Sequence, residues 1–365
     1  MSNISDDLSI YLHWPFCKSK CPYCDFFSQV KKNIDQDVII EGYLNQLDQY
    51  CHMLPKRHIV SIFFGGGTPS LITPANINAI LKKIDSLWGL DNECEISLEA
   101  NPNTNTPTLF KDLRSAGINR LSLGIQSLDD DELKFLGRTH TSKEAINAID
   151  SVLKNFNNHS IDLIYALPRQ TAKSWQHQLD IASSFGLKHI SLYQLTIEEN
   201  TLFYRKGIKP LCEEEATNLY NLTEERLSLK NYLKYEVSNY AQTNYESKHN
   251  LGYWIGRDYI GIGKTAHGRI KYNDKFFAVC DPIQLEELTN KEKAEELIIM
   301  GLRLISGINK EIFKSVCQID FDKFINQDFK TKALELGLIE DNKQYFKATS
   351  KGFLLIDYLI TELSS

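Results

Sequence analysis

Residues 14–28 read WPFCKSKCPYCDFFS and place three cysteines, Cys17, Cys21 and Cys24, within eight residues. The next cysteine along the chain is Cys51, so the cluster is local. Three thiolates on one short loop can bind three irons of a cuboidal 4Fe–4S cluster, which normally takes four cysteines. The remaining iron would then be open to an exchangeable ligand, and an open coordination position is typical of a reactive metal site.

Two other interpretations of the cysteine loop fit its sequence less well. A structural zinc site needs a fourth Cys or His, usually from a second CxxC pair, and this chain has no second CxxC. A disulfide or simple packing suits an oxidising compartment or scattered cysteines better than a local cluster. The spacing therefore favours an iron–sulfur centre.

Composition limits the classes of protein that the chain can belong to. Its 365 residues can bury a sizeable core, and a net charge of -6 argues against nucleic-acid binding. No apolar run is long enough for a membrane helix, and the opening residues MSNISDDLSI lack the pattern of a signal peptide. We therefore expect a cytoplasmic protein, for which a transient contact with a membrane surface stays open.

The first half of the chain alternates between short β-type runs and helical patterns. The predicted strands cover residues 8–13, 58–64, 93–99, 120–125, 160–165 and 189–195. Helices are predicted to begin after Thr73, at Ser142 and at Thr171. Six such units in series predict an α/β fold with a parallel sheet, and both a doubly wound sheet and a barrel fit that count. We favour a partial (β/α)6 barrel with its functional side chains at the carboxyl ends of the strands.

The pattern changes after about residue 195 and divides the chain into three predicted parts. Residues 1–205 form the core with the cofactor site. Residues 206–289 form a middle α/β segment that contains HNLGYW (249–254), and residues 290–365 form a C-terminal α+β domain that resembles a winged helix. Because the chain is acidic and has no basic recognition helix, we interpret the last part as a packing or partner module.

A glycine-rich turn, GGGTP (65–69), lies between a predicted strand and a predicted helix. Glycines allow the backbone to approach a ligand closely, although a tight turn alone would also explain them. A second glycine-rich stretch, GIGKTAHG (261–268), superficially matches a dinucleotide fingerprint. It lacks the expected strand and acidic partner, so we interpret it as a turn.

The spacing CxxxCxxC in CKSKCPYC resembles that of the radical S-adenosylmethionine (SAM) superfamily. In that superfamily three cysteines bind the 4Fe–4S cluster and SAM chelates the fourth iron, where electron transfer cleaves it. The resemblance implies that Cys17, Cys21 and Cys24 are the metal ligands. It also implies that the following residues surround SAM: Tyr11, Tyr23, Gly66, Gly67, Thr68, Glu99, Gln126, Arg138 and Asp162. Taken singly, the polar residues among them are also compatible with surface or capping roles.

Within the superfamily the chain resembles the coproporphyrinogen III oxidase-like group, and the resemblance covers nearly its whole length. Oxygen-independent coproporphyrinogen III oxidases carry an extended amino terminus and CxxxCxxCxC, whereas here Phe26 stands at the position of the extra cysteine. The HemW haem chaperones show CxxxCxxCDF, a short amino terminus and HNxxYW, all of which this sequence has. The resemblance therefore favours a haem chaperone, and the oxidase is the alternative.

The HNLGYW segment also has a physical interpretation. A neutral imidazole such as that of His249 is a common axial ligand of haem iron, and Tyr253 and Trp254 offer flat apolar surfaces for a porphyrin. Asn250 is expected to orient the imidazole ring or to cap a turn. A lone histidine is more often a hydrogen-bonded structural residue, so the haem assignment of these four residues depends on the resemblance. The same resemblance implies a haem acceptor protein and an electron donor such as flavodoxin or ferredoxin as partners.

Overall fold

Strands and helices alternate through the first half of the protein, which we describe from a computed structural model covering residues 6–104 and 108–364. The strands are β1 (Asp7–Trp14), β2 (Phe16–Cys17), β3 (Gln29–Val30), β4 (His58–Gly66), β5 (Glu95–Ala100), β6 (Arg120–Gln126), β7 (Asn158–Tyr165) and β8 (His189–Gln194). The helices are α1 (Gln36–Met53), α2 (Pro74–Trp88), α3 (Leu109–Ala116), α4 (Asp130–Phe135), α5 (Ser142–Asn155) and α6 (Ala172–Ser184).

Six of these strands form a parallel sheet in the order β1-β4-β5-β6-β7-β8. They are the six strands that the sequence predicts, and the predicted partial (β/α)6 barrel is confirmed. Their apolar side chains are almost completely buried, as expected for parallel strands that are covered on both faces. Because the carboxyl ends of parallel strands meet at one edge, the loops after β1, β4, β5, β6 and β7 can share one site.

Threonine caps fix where the barrel helices begin. The Thr73 side chain accepts a hydrogen bond from the backbone N–H of Asn76 at the start of α2, and Thr171 caps α6 in the same way. Helix α5 begins at Ser142 as predicted, with Thr141 as its cap. Thr141 and Glu144 form a reciprocal capping box, which satisfies two backbone donors at once.

The segment after β8 extends the same sheet at both edges. It contains α7 (Leu202–Arg205), α8 (Glu213–Ser228), β9 (Leu233–Lys234), β10 (Asn239–Ala241), α9 (Lys248–Trp254), β11 (Asp258–Ile262), β12 (His267–Tyr272), β13 (Lys275–Cys280) and β14 (Gln284–Leu288). The full strand order is β14-β13-β12-β11-β1-β4-β5-β6-β7-β8-β10-β9. Strand β11 pairs in parallel with β1, so the first part of GIGKTAHG belongs to a strand and not only to a turn.

The last part of the chain has a hydrophobic core of its own, from Ala294 to Leu363. It contains α10 (Asn290–Gly301), β15 (Ile308–Asn309), α11 (Lys310–Cys317), α12 (Phe321–Phe324), α13 (Gln327–Glu335), β16 (Ile339–Asp341), β17 (Tyr345–Ala348), α14 (Ser350–Phe353) and α15 (Ile356–Leu363). Its small antiparallel sheet has the order β15-β17-β16, with β15 before α11 and the β16–β17 hairpin between α13 and α14. This is the winged-helix-like arrangement that the sequence predicts. The exact boundaries at residues 205 and 289 stay predictions. In the part of the chain that the structure describes, no helix has the length and apolarity that crossing a bilayer requires.

Candidate cofactor site

The cysteine loop begins where β1 ends and is held at both ends by hydrogen bonds. Strands β2 and β3 pair in parallel and place Cys17 opposite Val30. The backbone N–H of Gln29 donates to the Pro15 carbonyl oxygen over 2.7 Å, and the buried His13 ring lies 3.0 Å from the Phe27 carbonyl oxygen through Nε2. A loop closed in this way keeps its three cysteines on one short, half-buried segment.

The three cysteine side chains share one cavity. All three line one cavity of about 340 Å³. Among the described residues, no three His, Cys, Asp or Glu side chains are placed to hold one ion together. A 4Fe–4S cluster would bind each of these thiolates to a different iron. Burial raises the pKa of the Cys24 thiol to about 11, so binding iron there must release a proton.

The glycine turn after β4 packs directly on the cysteine loop. The backbone N–H of Gly67 donates to the Trp14 carbonyl oxygen over 2.6 Å, and that of Thr68 donates to the Phe16 carbonyl oxygen over 2.9 Å. Gly66 has a φ of 107°, which favours glycine. Thr68 is buried behind the turn, where its hydroxyl accepts a hydrogen bond from Asn101. The two loops therefore depend on each other for their shape.

Most of the residues that the resemblance assigns to SAM lie on the same cavity as the cysteines. Its walls include Tyr23, Gly66, Gly67, Glu99, Gln126, Arg138 and Asp162. Thr68 supports the wall from behind, and Tyr11 faces an adjoining cavity. A volume of about 340 Å³ is within the range of pockets that hold small-molecule ligands. The site therefore suits a ligand of the size class to which SAM belongs.

The ionisable side chains of the cavity suit a ligand that carries both positive and negative groups. The Arg138 guanidinium lies 3.5 Å from the Cys21 sulfur through Nη1 and donates from Nη2 to the Gly124 carbonyl oxygen and to Asn101. It supplies a fixed positive charge for a carboxylate. On the other side, Glu99 and Asp162 supply carboxyl groups for an ammonium, a sulfonium or ribose hydroxyls. The residues present therefore fit SAM.

Gln126 reaches the cavity through an irregular end of β6. The register between β6 and β7 shifts between Gly124 and Gln126, and Gln126 adopts a φ of 74°. Such a conformation is unusual for a residue other than glycine, and in folded proteins it is often found at functional sites. The shift places Gln126 on the wall of the cavity.

Burial gives Glu99 an unusual protonation behaviour. Burial raises the pKa of Glu99 from its ordinary value of 4.5 to about 8, and the neighbouring Asp162 contributes to this rise. Burial also raises the pKa of Asp162, while a hydrogen bond from Ser122 over 2.9 Å opposes that effect. Two carboxyl groups in one cavity repel each other when both are ionised. The cavity therefore favours a cationic ligand once both groups lose their protons.

This behaviour predicts a pH-dependent effect of Glu99→Gln. Between pH 4.5 and 8 the folded chain keeps a proton on Glu99 that the unfolded chain has lost, so this group makes the fold less stable as the pH rises through that window. Glutamine removes the effect. Denaturant unfolding should show similar stability for wild type and Glu99→Gln near pH 5, and a gain of at least about 1 kcal/mol for the variant above pH 8. Glu199→Gln, at an exposed position, is the control, and an equal gain in both variants would contradict the assignment.

A second cavity of about 230 Å³ adjoins the first. It reaches Arg120 and His189, the first residues of β6 and β8, and we call it the floor of the barrel. Glu99, Asp162, Gly66 and Tyr193 line both cavities. The floor also contains Arg120 and His189, which the sequence analysis did not single out. Arg120 is a buried charged residue at the start of β6 (RLSLGIQ), and a charge at the start of a buried strand is the signal that could have identified it.

HNLGYW forms α9, and three of its predicted haem residues face this floor. His249, Asn250 and Tyr253 line the second cavity. The His249 ring lies 2.9 Å from the Ser61 hydroxyl through Nδ1 and 2.8 Å from the Tyr253 hydroxyl through Nε2. Burial lowers the pKa of His249 to about 3, so its imidazole is neutral. A neutral ring is the form that binds iron, but in this structure both of its nitrogens already have partners.

Glu95 on β5 holds the amino-terminal end of α9. Its buried carboxylate accepts hydrogen bonds from the Ser247 hydroxyl and from the backbone N–H groups of Lys248 and His249, at 3.1–3.3 Å. A carboxylate at a helix amino terminus satisfies free backbone donors and interacts favourably with the helix dipole. Sequence reasoning missed this role because Glu95 and His249 are 154 residues apart.

Trp254 is separated from the other three residues of the motif. It lines a groove of about 210 Å³ together with apolar residues of the C-terminal part, among them Leu297, Ile308 and Phe313. Its indole nitrogen is buried and has no hydrogen-bond partner within the described residues. The structure therefore does not bring the four predicted haem residues onto one surface.

Comparisons with known proteins agree with this fold and site. The sequence profile of the radical SAM superfamily matches residues 11–181, and that of the HemN C-terminal domain matches residues 288–355. Coproporphyrinogen III oxidase (HemN) from Escherichia coli has a similar structure, with a TM-score of 0.83 and 19% identity over 100% of this chain and 91% of that one. At this identity the likeness shows the fold alone. The cysteine loop on a partial barrel and these matches together define a radical SAM protein.

Relatives that align over almost the whole chain show to which family within the radical SAM class it belongs. A protein from Buchnera aphidicola named heme chaperone HemW is 35% identical over 97% of each chain. The mitochondrial radical S-adenosyl methionine domain-containing protein 1 of Danio rerio is 33% identical over 97% of this chain and 86% of its own length. The chain belongs to the HemW family.

Proposed function

We propose that this protein is a haem chaperone, which binds haem and passes it to an acceptor protein. The observation that carries the proposal is the 35% identity with the Buchnera aphidicola heme chaperone over 97% of both chains. Phe26 at the position of the extra cysteine of the oxidases favours the same function. The acceptor is expected to be a haem-binding protein.

The same proposal assigns two cofactors to the barrel. Cys17, Cys21 and Cys24 hold a 4Fe–4S cluster, and the walls of the 340 Å³ cavity hold SAM. When bound, this pair supplies reductive cleavage of SAM. The support from this chain is the common cavity of the three cysteines together with the Arg138 guanidinium and the carboxyl groups of Glu99 and Asp162 on its walls. The residues of the chain position both groups and limit the access of water.

A comparison of substrates separates the chaperone from the oxidase. We expect the reconstituted full chain to bind hemin, with a change in the haem absorbance that saturates. Incubation with coproporphyrinogen III, SAM and a reductant should give no protoporphyrinogen. Formation of protoporphyrinogen would overturn the chaperone function in favour of the oxidase, and an unsaturable haem signal would contradict haem binding at a defined site.

Paired variants of α9 test whether His249 is a haem ligand. His249→Ala should lower haem retention by at least about tenfold, because it removes the axial nitrogen. Tyr253→Phe should leave retention unchanged or strengthen it, because it frees His249 Nε2 from its 2.8 Å hydrogen bond. Haem titration followed by gel filtration measures both variants. If His249→Ala retains haem like the wild type, His249 is not the ligand and serves only to position the cavity floor.

A further inference from the structure

Five exposed lysines surround the cysteine loop, and we call them the lysine rim. Lys18 and Lys20 lie between the cysteines, Lys31 and Lys32 follow β3, and Lys264 lies above the Phe27 ring, with 5.4 Å from its ammonium nitrogen to the ring centroid. Residues 17–32 carry four lysines against one aspartate, Asp25, in a chain whose net charge is -6. The surface around the cysteine loop is therefore positive on a protein that is acidic as a whole.

The lysine rim is not neutralised by ion pairs. Within residues 6–104 and 108–364, no carboxylate lies within ion-pairing distance of a lysine of the rim. Lys18 and Lys20 contact only backbone carbonyl oxygens, those of Asn103 and Phe26, both at 3.4 Å. Many other lysines of the chain are paired, among them Lys83 with Asp48 and Lys310 with Asp341. Charges left unpaired in this way extend a positive field into solvent.

Apolar side chains lie at the centre of the rim. Phe26 is 63% exposed and Val30 is 57% exposed, although both belong to the loop that carries the cysteines. Val30 pairs directly with Cys17, and Phe26 lines both cavities. An apolar centre surrounded by charged side chains is the usual anatomy of a protein–protein interface.

We propose that the lysine rim, with Phe26 and Val30 at its centre, is the docking surface for an acidic one-electron carrier protein. The inference rests on the proposed 4Fe–4S cluster, which must receive its electron from outside. In the complex the carrier is oxidised by one electron and the cluster is reduced by one. Redox encounters of this kind use small interfaces that are steered by charge.

The spread of the lysines favours a protein over a small anion. Lys18 lies beside Asn103, Lys31 lies 6.0 Å from the centroid of the Phe16 ring, and Lys264 lies over Phe27. Each of these three lysines has a different contact partner, so their contacts give no sign of convergence of the ammonium groups on one point. Haem carboxylates would need such convergence. A broad acidic protein surface does not.

The test measures association with purified flavodoxin as the acidic carrier. The reconstituted full chain is compared with a variant that combines Lys18→Glu, Lys20→Glu, Lys31→Glu and Lys32→Glu. A control combines Lys82→Glu, Lys154→Glu, Lys332→Glu and Lys343→Glu, which are exposed positions with the same change in net charge. We expect the rim variant to lose at least about tenfold in association and most of its dependence on salt, while the control stays close to the wild type.

A second variant and a haem-binding measurement separate loss of docking from loss of the cluster. The second variant combines only Lys31→Glu and Lys32→Glu, which lie outside the segment between the cysteines. It should weaken association with flavodoxin even if the fourfold variant fails to assemble its cluster. Equal association by the rim variant and the control would overturn the proposal. So would a loss of haem binding with unchanged flavodoxin association, which would assign the rim to haem carboxylates. A wild-type chain that bound flavodoxin but no haem would support the docking surface and contradict the chaperone function.

Discussion

Replacing Cys17, Cys21 and Cys24 together with alanine is expected to abolish the broad visible absorbance of the reconstituted protein and its bound iron and sulfide. Thiolate-to-iron bonds are the source of that absorbance, and these three cysteines line the one cavity that they share. Anaerobic metal and sulfide analysis, combined with absorbance spectroscopy, measures the loss. The expected effect is complete, because none of the three loop thiolates remains to hold the cluster.

The scattered cysteines provide a matched control. Cys51, Cys212 and Cys280 are half-buried or exposed and lie far from the loop in sequence. Replacing these three with alanine removes the same number of thiols and should leave iron, sulfide and absorbance unchanged. Circular dichroism of both triple variants shows that the barrel has folded. Iron retained by the Cys17, Cys21 and Cys24 variant, or lost from the control variant, would make the ligand assignment wrong.

The barrel was predictable because its signals are local. The six strands are short apolar runs, and Thr73 and Thr171 mark helix starts through hydrogen bonds that span three residues. The cysteine loop was predictable for the same reason, since its spacing lies within one stretch of eight residues. Patterns that lie within a few neighbouring residues can be recognised in the sequence without knowledge of the tertiary fold.

The floor of the barrel was not predictable because its contacts are distant in sequence. His249 contacts Ser61, which is 188 residues away, and Glu95 caps α9 across a similar separation. Strand β11 was missed because DYIGI is short, contains glycine and pairs with the distant strand β1, where Asp258 lies opposite Leu8. Nothing in the HNLGYW motif itself separates Trp254 from His249. The two residues face different cavities because helix geometry and the packing of the C-terminal part place them there.

The second large effect is expected from Gly67→Ala, in the glycine turn that packs on the cysteine loop. A Cβ atom on Gly67 would lie 2.6 Å from the Phe16 carbonyl oxygen and 2.9 Å from the Phe16 nitrogen. Both are backbone atoms next to Cys17, so they cannot rotate away as a side chain would. One of the two loops must shift, and overpacking of this kind costs about 1–3 kcal/mol. We expect the free energy of unfolding of the variant to fall by that amount.

The same shift should disturb cluster assembly, because the displaced backbone leads directly into the first cysteine. We expect iron content after reconstitution to fall by more than half in Gly67→Ala. Gly42→Ala is the matched control, since Gly42 lies inside α1 with no atom within 4 Å of the added Cβ. That change should stabilise the protein by about 0.5–1 kcal/mol, because alanine loses less conformational freedom in a helix, and should leave the iron content unchanged. Normal iron content in Gly67→Ala would show that the glycine turn does not fix the position of the cysteines, and that a tight turn alone explains GGGTP.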